Sequence, residues 1–316
     1  MGKHSEDGKR TGMAEVTIGP YSFNVSSPDR VIFPDSNITK GDLVAYYRDV
    51  AEVMLPHVQG RPVTIHRFPH GLTGQGFYVH DVPRYFPQWV QRVSVVEKTG
   101  QKAERVVPHH AATLAYLASQ SAIAIHGWLS RADRLNNPDL IVFDLDPPDN
   151  GFEAVRRAAL HLRWALDSIG LLPYVMTTGS RGLHVAVPLD RSEEFEAVRA
   201  FAQELAGVLA RQQPDLLTAE QRKAQRGGRV YLDTVRNSYG VTSVAPYSLR
   251  ARPGAPVATP LAWEELADPN LHSQSYNIGN IFSRLAQRPD PWRHMWDRPC
   301  SLLGARQHLA SLGAWG

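Results

Sequence analysis

An α+β fold is predicted by three features of the sequence. Two long segments, 152–169 and 195–211, carry apolar residues at helical spacing. Several short apolar runs, among them 140–143, 174–177, 184–187 and 230–233, have the length and composition of strands. Helices and strands do not alternate one for one, which disfavours a regular βαβ winding such as a Rossmann topology. The chain has 316 residues, room for about two domains or one large one. With 43% hydrophobic and 21% charged residues it is not a disordered chain.

Taken in order, the first residues, MGKHSEDGKRTG, are polar and lack the apolar stretch of a signal peptide. Glu6 stands where N-myristoylation wants Ser or Thr. Residues 1–15 are expected to be a disordered tail. Loose alternation over 16–25 predicts a strand or the start of a hairpin. Thr39, with Asp42 three places on, is a fair N-cap for a helix with apolar positions Leu43, Val44, Tyr47, Val50, Val53 and Met54. Segments 61–68 and 76–80 read as strands, and the Ala-rich 110–125 as a helix. The continuously apolar 140–143 ends in acids and reads as a buried strand delivering them to a site. The helix 152–169 follows. The strand 174–177 enters a Gly-rich turn and 184–187 returns from it. The helix 195–211, strands 230–233 and 243–246, and a terminal helix at 302–312 complete the series.

The expected organisation is a catalytic unit over 16–290, with a smaller N-terminal subdomain at 16–120, a core at 121–290 and a C-terminal extension at 291–316. The single cysteine, Cys300, excludes an intramolecular disulfide and a cysteine-based zinc site, and suits a reducing compartment. No apolar run approaches the roughly 20 residues of a membrane span, so a cytoplasmic protein with no membrane partner is expected. Net charge is +3 and the pI about 9.0, a weak pointer to an anionic partner. The run 222–229, RKAQRGGR, holds its cations without an acid; by itself this reads equally well as a solvated loop.

Three groups of residues could carry chemistry. In Asp144-Leu-Asp146 the two acids sit two apart on a strand and share a face, where they repel unless a cation neutralises them. Magnesium and manganese prefer such oxygen ligands. Asp233 ends another short apolar strand and offers a third carboxylate for a two-metal site. The turn Thr177-Thr-Gly-Ser-Arg-Gly-Leu-His184 combines glycines, the Ser180 hydroxyl and the Arg181 guanidinium, a set suited to phosphate oxygens. Singly, each has a plain structural reading as an exposed strand end, a surface acid or a hairpin turn. Together they are the parts of metal-assisted nucleotidyl transfer.

These residues resemble the polymerase domain of bacterial ligase D, in the archaeo-eukaryotic primase superfamily. The resemblance runs over about 25–288 and includes PDRVIFP with Lys40 downstream, GRPVTIHRFPHG, FDLDP, TTGSRGLH, VYLDTVRNSYG and VAPYSLRARPGAPVATPLAWEEL. It implies a primase-like catalytic sheet flanked by helices. It also implies that Asp144 and Asp146 bridge two metal ions and that Asp233 holds the catalytic one, with manganese preferred over magnesium. Ser180, Arg181, Gly182 and His184 match the nucleotide-binding loop, and His126 and Arg250 match residues near the incoming triphosphate, with Tyr247 and Ser248 beside the latter. Arg30 and Lys40 match a pocket for a downstream 5′-phosphate. Phe77 and Tyr78 match an aromatic pair that stacks on template, and Arg226 matches a loop residue touching template or nucleotide. The chain departs from familiar members in having Arg181 and Arg30 for lysines and Ser27 for asparagine. No ligase or nuclease module is seen, so a stand-alone polymerase is expected, one that works with a separate ligase or end-binding protein.

The function so implied is a DNA-dependent nucleotidyltransferase that extends primers with NTPs or dNTPs, favouring ribonucleotides, at short gaps or broken ends bearing a 5′-phosphate. Two rivals stay open: a primase that starts chains de novo, and a non-catalytic end-binding scaffold. A metal-dependent nuclease shares the acids but has no need of the Gly-Ser-Arg-Gly loop.

Overall fold

The structure is a computed structural model and describes residues 12–97, 99–148 and 151–313. It opens with a hairpin of β1 (Met13–Ile18) and β2 (Tyr21–Ser26), in register from Met13↔Ser26 to Ile18↔Tyr21. The turn uses Gly19 at φ +57°. Residues 13–15 of the expected tail are therefore strand, held by pairing with β2; residues 1–11 lie outside the described residues. A second short hairpin, β3 (Val31–Phe33) and β4 (Ile38–Thr39), leads into α1 (Lys40–Asp49). Thr39 Oγ1 accepts from the Asp42 amide, and the Asp42 carboxylate accepts from the Thr39 amide, the reciprocal cap expected. The helical stretch then breaks at Val50, and α2 (Ala51–Val58) continues it.

Strands β5 (Val63–Arg67) and β6 (Phe77–Val79) fall where expected. The hairpin of β7 (Arg92–Val96) and β8 (Lys102–Val106) was not anticipated, although a valine-rich run and the turn residue Gly100 mark it. The helix expected over 110–125 is corrected: α3 (Ala111–Ser119) ends, Ser121 takes φ +62°, and β9 (Ala122–Trp128) begins. All of β9 is buried, so its sequence shows no alternation, and the alanines that favour helix locally are overruled by pairing with β5. The remaining elements are β10 (Leu140–Asp146), α4 (Phe152–Ser168), β11 (Tyr174–Thr177), β12 (Leu183–Pro188), α5 (Phe195–Gln212), β13 (Leu217–Thr218), β14 (Val230–Asp233), β15 (Thr242–Val244), β16 (Pro260–Leu261), α6 (Ile281–Gln287) and α7 (Leu302–Gly313).

Two six-stranded sheets organise the fold, the first mixed and the second wholly antiparallel. The first runs β13-β14-β10-β12-β11-β16 and is antiparallel except for β13 with β14. The second runs β15-β9-β5-β8-β7, with β6 beside β5. The expected division near residue 120 falls between α3 and β9, yet the second sheet takes β9 and β15 from beyond it.

Period-two alternation sorts the first sheet. Ile141, Phe143 and Leu145 point into a core with α4 and α5, while Val142, Asp144 and Asp146 point the other way. Deep in the crevice between the sheets, Val142, Met176 and Ala186 meet Leu129, Val244 and Trp292 in a smaller apolar cluster. Buried Arg61, just before β5, grips Asp139, just before β10, through both carboxylate oxygens. Arg131 reaches the same carboxylate, and the Trp296 ring lies 5.0 and 4.9 Å from the Arg61 and Arg131 guanidinium carbons. The C-terminal segment is also bonded to the first sheet: Trp292 Nε1 donates to Val175 O on β11, and the Cys300 amide donates to Pro188 O on β12.

Candidate active site

The acids come together as the strand register dictates. Asp144 on β10 pairs across to Asp233 on β14 and to His184 on β12, and Asp146 pairs across to Tyr231. Directly opposed residues in antiparallel strands point to the same face, so the three predicted carboxylates and His184 share the face that looks into the crevice. Asp144 is only 7% exposed. His184 Nε2 lies 3.4 Å from its Oδ1, and Arg236 Nε and Nη2 each donate to Oδ2 at 3.4 Å. Burial by itself would raise this carboxyl; His184 and then Arg236 outweigh it and hold it at about 2. His184 is fixed from behind by the Ser243 hydroxyl at Nδ1, 3.3 Å. Asp233 accepts the Val235 amide at 2.8 Å.

The glycine turn expected to receive phosphate is built by Thr178. Its hydroxyl donates to Gly182 O and accepts the amides of Ser180 and Gly182. Gly182 lies so close to β10 that a Cβ there would fall 2.0 Å from Leu145 O, and Gly179 has φ +62°. Both glycines are therefore required by the fold of the turn. Arg250 Nη1 donates to Thr178 O, tying the basic residue to the loop. A cleft of about 490 Å³ opens here, lined by His126, Asp144, Asp146, Ser180, Arg181, Gly182, His184 and Arg250, and also by Arg236 and Arg252. Every nucleotide-binding residue named from the sequence thus lines one cavity with two of the three acids. Tyr247 and Ser248, flagged beside Arg250, are buried instead: the Ser248 hydroxyl accepts the Ile125 amide.

The second sheet forms the facing wall. His126 on β9 has its pKa lowered well below the ordinary value, by burial first and then by Arg250 and Arg236. Burial and these cations favour its neutral imidazole form. Phe77 and Tyr78 do not form one platform, because neighbours on a strand point to opposite faces. Tyr78 is 52% exposed, stacks on His66 at 4.1 Å and meets His126 edge-on at 5.8 Å. Phe77 lies on the other side, under Arg67.

At the N-terminal corner, Arg30 and Lys40 do come together. The Lys40 side chain is buried at the first turn of α1, with Nζ donating to Ser26 Oγ at 3.1 Å. Its pKa is lowered by burial, then by Arg30 and Arg67. Arg226, from the basic run, is held by the carbonyls of Glu220 and Gln221, lies over the Tyr231 ring at 4.1 Å, and stands 4.0 Å from Asp146.

Sequence reasoning missed Arg236, Arg252 and His66. Arg236 sits inside the quoted VYLDTVRNSYG, three places after Asp233, and that proximity was the available signal. Its backbone is placed by buried Asn237, whose amide side chain bonds both ways with the Val142 backbone at 2.7 and 2.8 Å.

Three carboxylates on one face are a hard oxygen donor set. Asp146 shows the strain of their proximity: burial and then the charge of Asp144 raise its carboxyl, Asp233 adds to this, and Arg181 and Arg226 oppose it. The residues fit divalent cations by donor chemistry. Among the described residues, no three Asp, Glu, His or Cys side chains are already closed around a cation position; both oxygens of Asp144 are engaged by His184 and Arg236.

Comparison with known proteins gives a consistent picture. The family model described as the LigD primase-polymerase domain matches residues 39–292. The multifunctional non-homologous end joining DNA repair protein LigD of Mycobacterium tuberculosis H37Rv is 35% identical over 275 residues, covering 84% of this chain and 36% of that protein. The bifunctional LigD of Bacillus subtilis is 30% identical over 284 residues, covering 88% and 45%. The chain thus spans between a third and a half of these relatives' length. Among solved structures, the polymerase domain of Mycobacterium tuberculosis ligase D in complex with DNA superimposes with a TM-score of 0.80 at 32% identity, covering 86% of this chain and 97% of that one.

Proposed function

This chain belongs to the family of LigD primase-polymerase domains, and on that premise we propose that it is a DNA-dependent nucleotidyltransferase acting in repair by non-homologous end joining. The observation that carries this reading is the cleft itself: Asp144, Asp146 and Asp233 on one sheet face, opposed by a glycine turn and the side chains of Arg181, Arg250 and His126. Two divalent cations, manganese in preference to magnesium, held by Asp144 and Asp146 with Asp233 on one of them, would supply charge neutralisation at the α-phosphate and acidify the attacking 3′-hydroxyl. The chain's own residues do the rest. Arg181 and Arg250 bind phosphate oxygens, and neutral His126 donates a hydrogen bond. Ser180 and its loop seat the triphosphate of an NTP, favoured over a dNTP. Tyr78 stacks on the template strand, and Arg226 follows its backbone.

The substrate is a gapped duplex or broken end. Arg30 and Lys40 receive the downstream 5′-phosphate, a reading supported by three cations gathered at the start of a helix, where the backbone dipole also favours an anion. A separate ligase or end-binding protein completes the joining. The test is extension on a short-gapped duplex with manganese and four ribonucleotides, comparing a 5′-phosphate with a 5′-hydroxyl on the downstream strand. Templated extension favouring the phosphate is expected. Indifference to the phosphate removes the Arg30–Lys40 pocket, and tight binding without extension leaves an end-binding scaffold.

A further inference from the structure

Asp144 has two partners of different kinds. His184 is buried and clamped between Asp144 and Ser243. Arg236 is a long side chain, 41% exposed, whose further bond, to Thr242 O, is long at 3.5 Å. Its backbone is anchored, because Asn237 is locked to β10 on both its oxygen and its nitrogen. A fixed base thus carries a movable cation whose guanidinium rests on the outer oxygen of the acid at the centre of the carboxylate trio. On the metal-dependent reading, Asp144 would hold a divalent cation, and this oxygen is one of the two it could offer.

We propose that Arg236 is the internal counter-ion of Asp144, a positioning residue whose guanidinium occupies the carboxylate oxygen Oδ2 and yields it when a divalent cation binds. The inference rests on the metal-dependent reading above and adds a residue which that reading does not need. It follows from electrostatics: two cations compete for one oxygen, and the less buried, more loosely held one gives way. The released guanidinium stays in a cleft already lined by Arg181, Arg250 and Arg252, where phosphate is its natural new partner. Cation binding and phosphate binding then favour each other through this side chain, and by linkage the coupling is reciprocal.

The test titrates manganese into the full chain without nucleotide or DNA, following free Mn2+ by electron paramagnetic resonance. Arg236→Gln is expected to bind Mn2+ about fivefold more tightly than the natural chain, the factor set by removing a partly exposed ion pair. Arg236→Lys should lie closer to the natural chain, and Asp144→Asn should lose the site in either background. Unchanged or weaker Mn2+ binding by Arg236→Gln overturns the inference while leaving the metal reading in place. No Mn2+ bound by any form removes both. A second readout needs no variant: in the natural chain the Nε–H resonance of Arg236 should shift on adding Mg2+, and a resonance that stays fixed while the metal binds overturns the proposal.

Discussion

On β10, buried Asp144 has a histidine on one oxygen and an arginine on the other. Lys40, at 3% exposure just as deeply placed, has a serine hydroxyl as its polar partner and shares its corner with Arg30 and Arg67. Among the described residues Arg30 and Arg67 bond there to carbonyls and hydroxyls, not to carboxylates. The first region balances its charges internally, so ligands of both signs can enter by exchange. The second leaves positive charge uncompensated, which burial penalises and an anion relieves. On the proposed reading the first region exchanges cations and phosphates, and the second holds a single anion.

The comparison breaks most sharply at Asp144. Asp144→Ala should lower primer extension about a thousandfold, a loss of the size found when a preorganised charge partner of the transition state is removed. DNA affinity by gel shift should stay within about twofold, and extension at the natural rate would remove the site assignment. At the other region, Lys40→Met should reduce the preference for a 5′-phosphate over a 5′-hydroxyl by about tenfold, the worth of one charge-assisted bond. The same variant should melt at a higher temperature than the natural chain when no anion is present, by about 1 kcal/mol of stability, because an unpaired buried cation has gone. A lower melting temperature would show that the corner is compensated after all.

The pH dependence of that gain sharpens the contrast. Lys40 has a lowered folded pKa, so the folded state disfavours its charged form. The resulting penalty is present at neutral pH and fades as pH rises from the folded value toward the unfolded 10.5. The stability advantage of Lys40→Met should therefore shrink between neutrality and pH 10 in urea melts; a constant advantage would point to packing rather than charge. The smallest effect concerns the facing wall. Tyr78→Ala should weaken binding of single-stranded template about fivefold, near the lower end for one lost base stack, while Phe77→Ala should change it less than twofold. Equal losses would mean that both rings reach the template.

Much of the site was legible because strands repeat every two residues. Asp144 and Asp146 had to share a face, and the glycines around Ser180 had to mark a tight turn, wherever the sheet lay. The same period placed Phe77 and Tyr78 on opposite faces, which their reading as a stacking pair had overlooked. The break between α3 and β9 was not legible, because a strand buried on both faces has no alternation to show and alanine favours the helix locally. Nor was the division of the chain: β9 and β15 join the N-terminal sheet through long-range pairing that no local pattern encodes.

What the sequence alone determined was the α+β class, the family, the positions of the three acids, the glycine turn at 178–182 and the cap of α1, all of which depend on spacings within a few residues or on motif identity. Only the tertiary structure decided that Asp233 stands opposite Asp144, that Arg236 rests on that acid, that His66 backs Tyr78, and that Arg61 and Asp139 tie the sheets together. These are contacts across strands and loops distant in sequence. Their register is set by which hydrophobic faces bury against which, a property of the packed core as a whole.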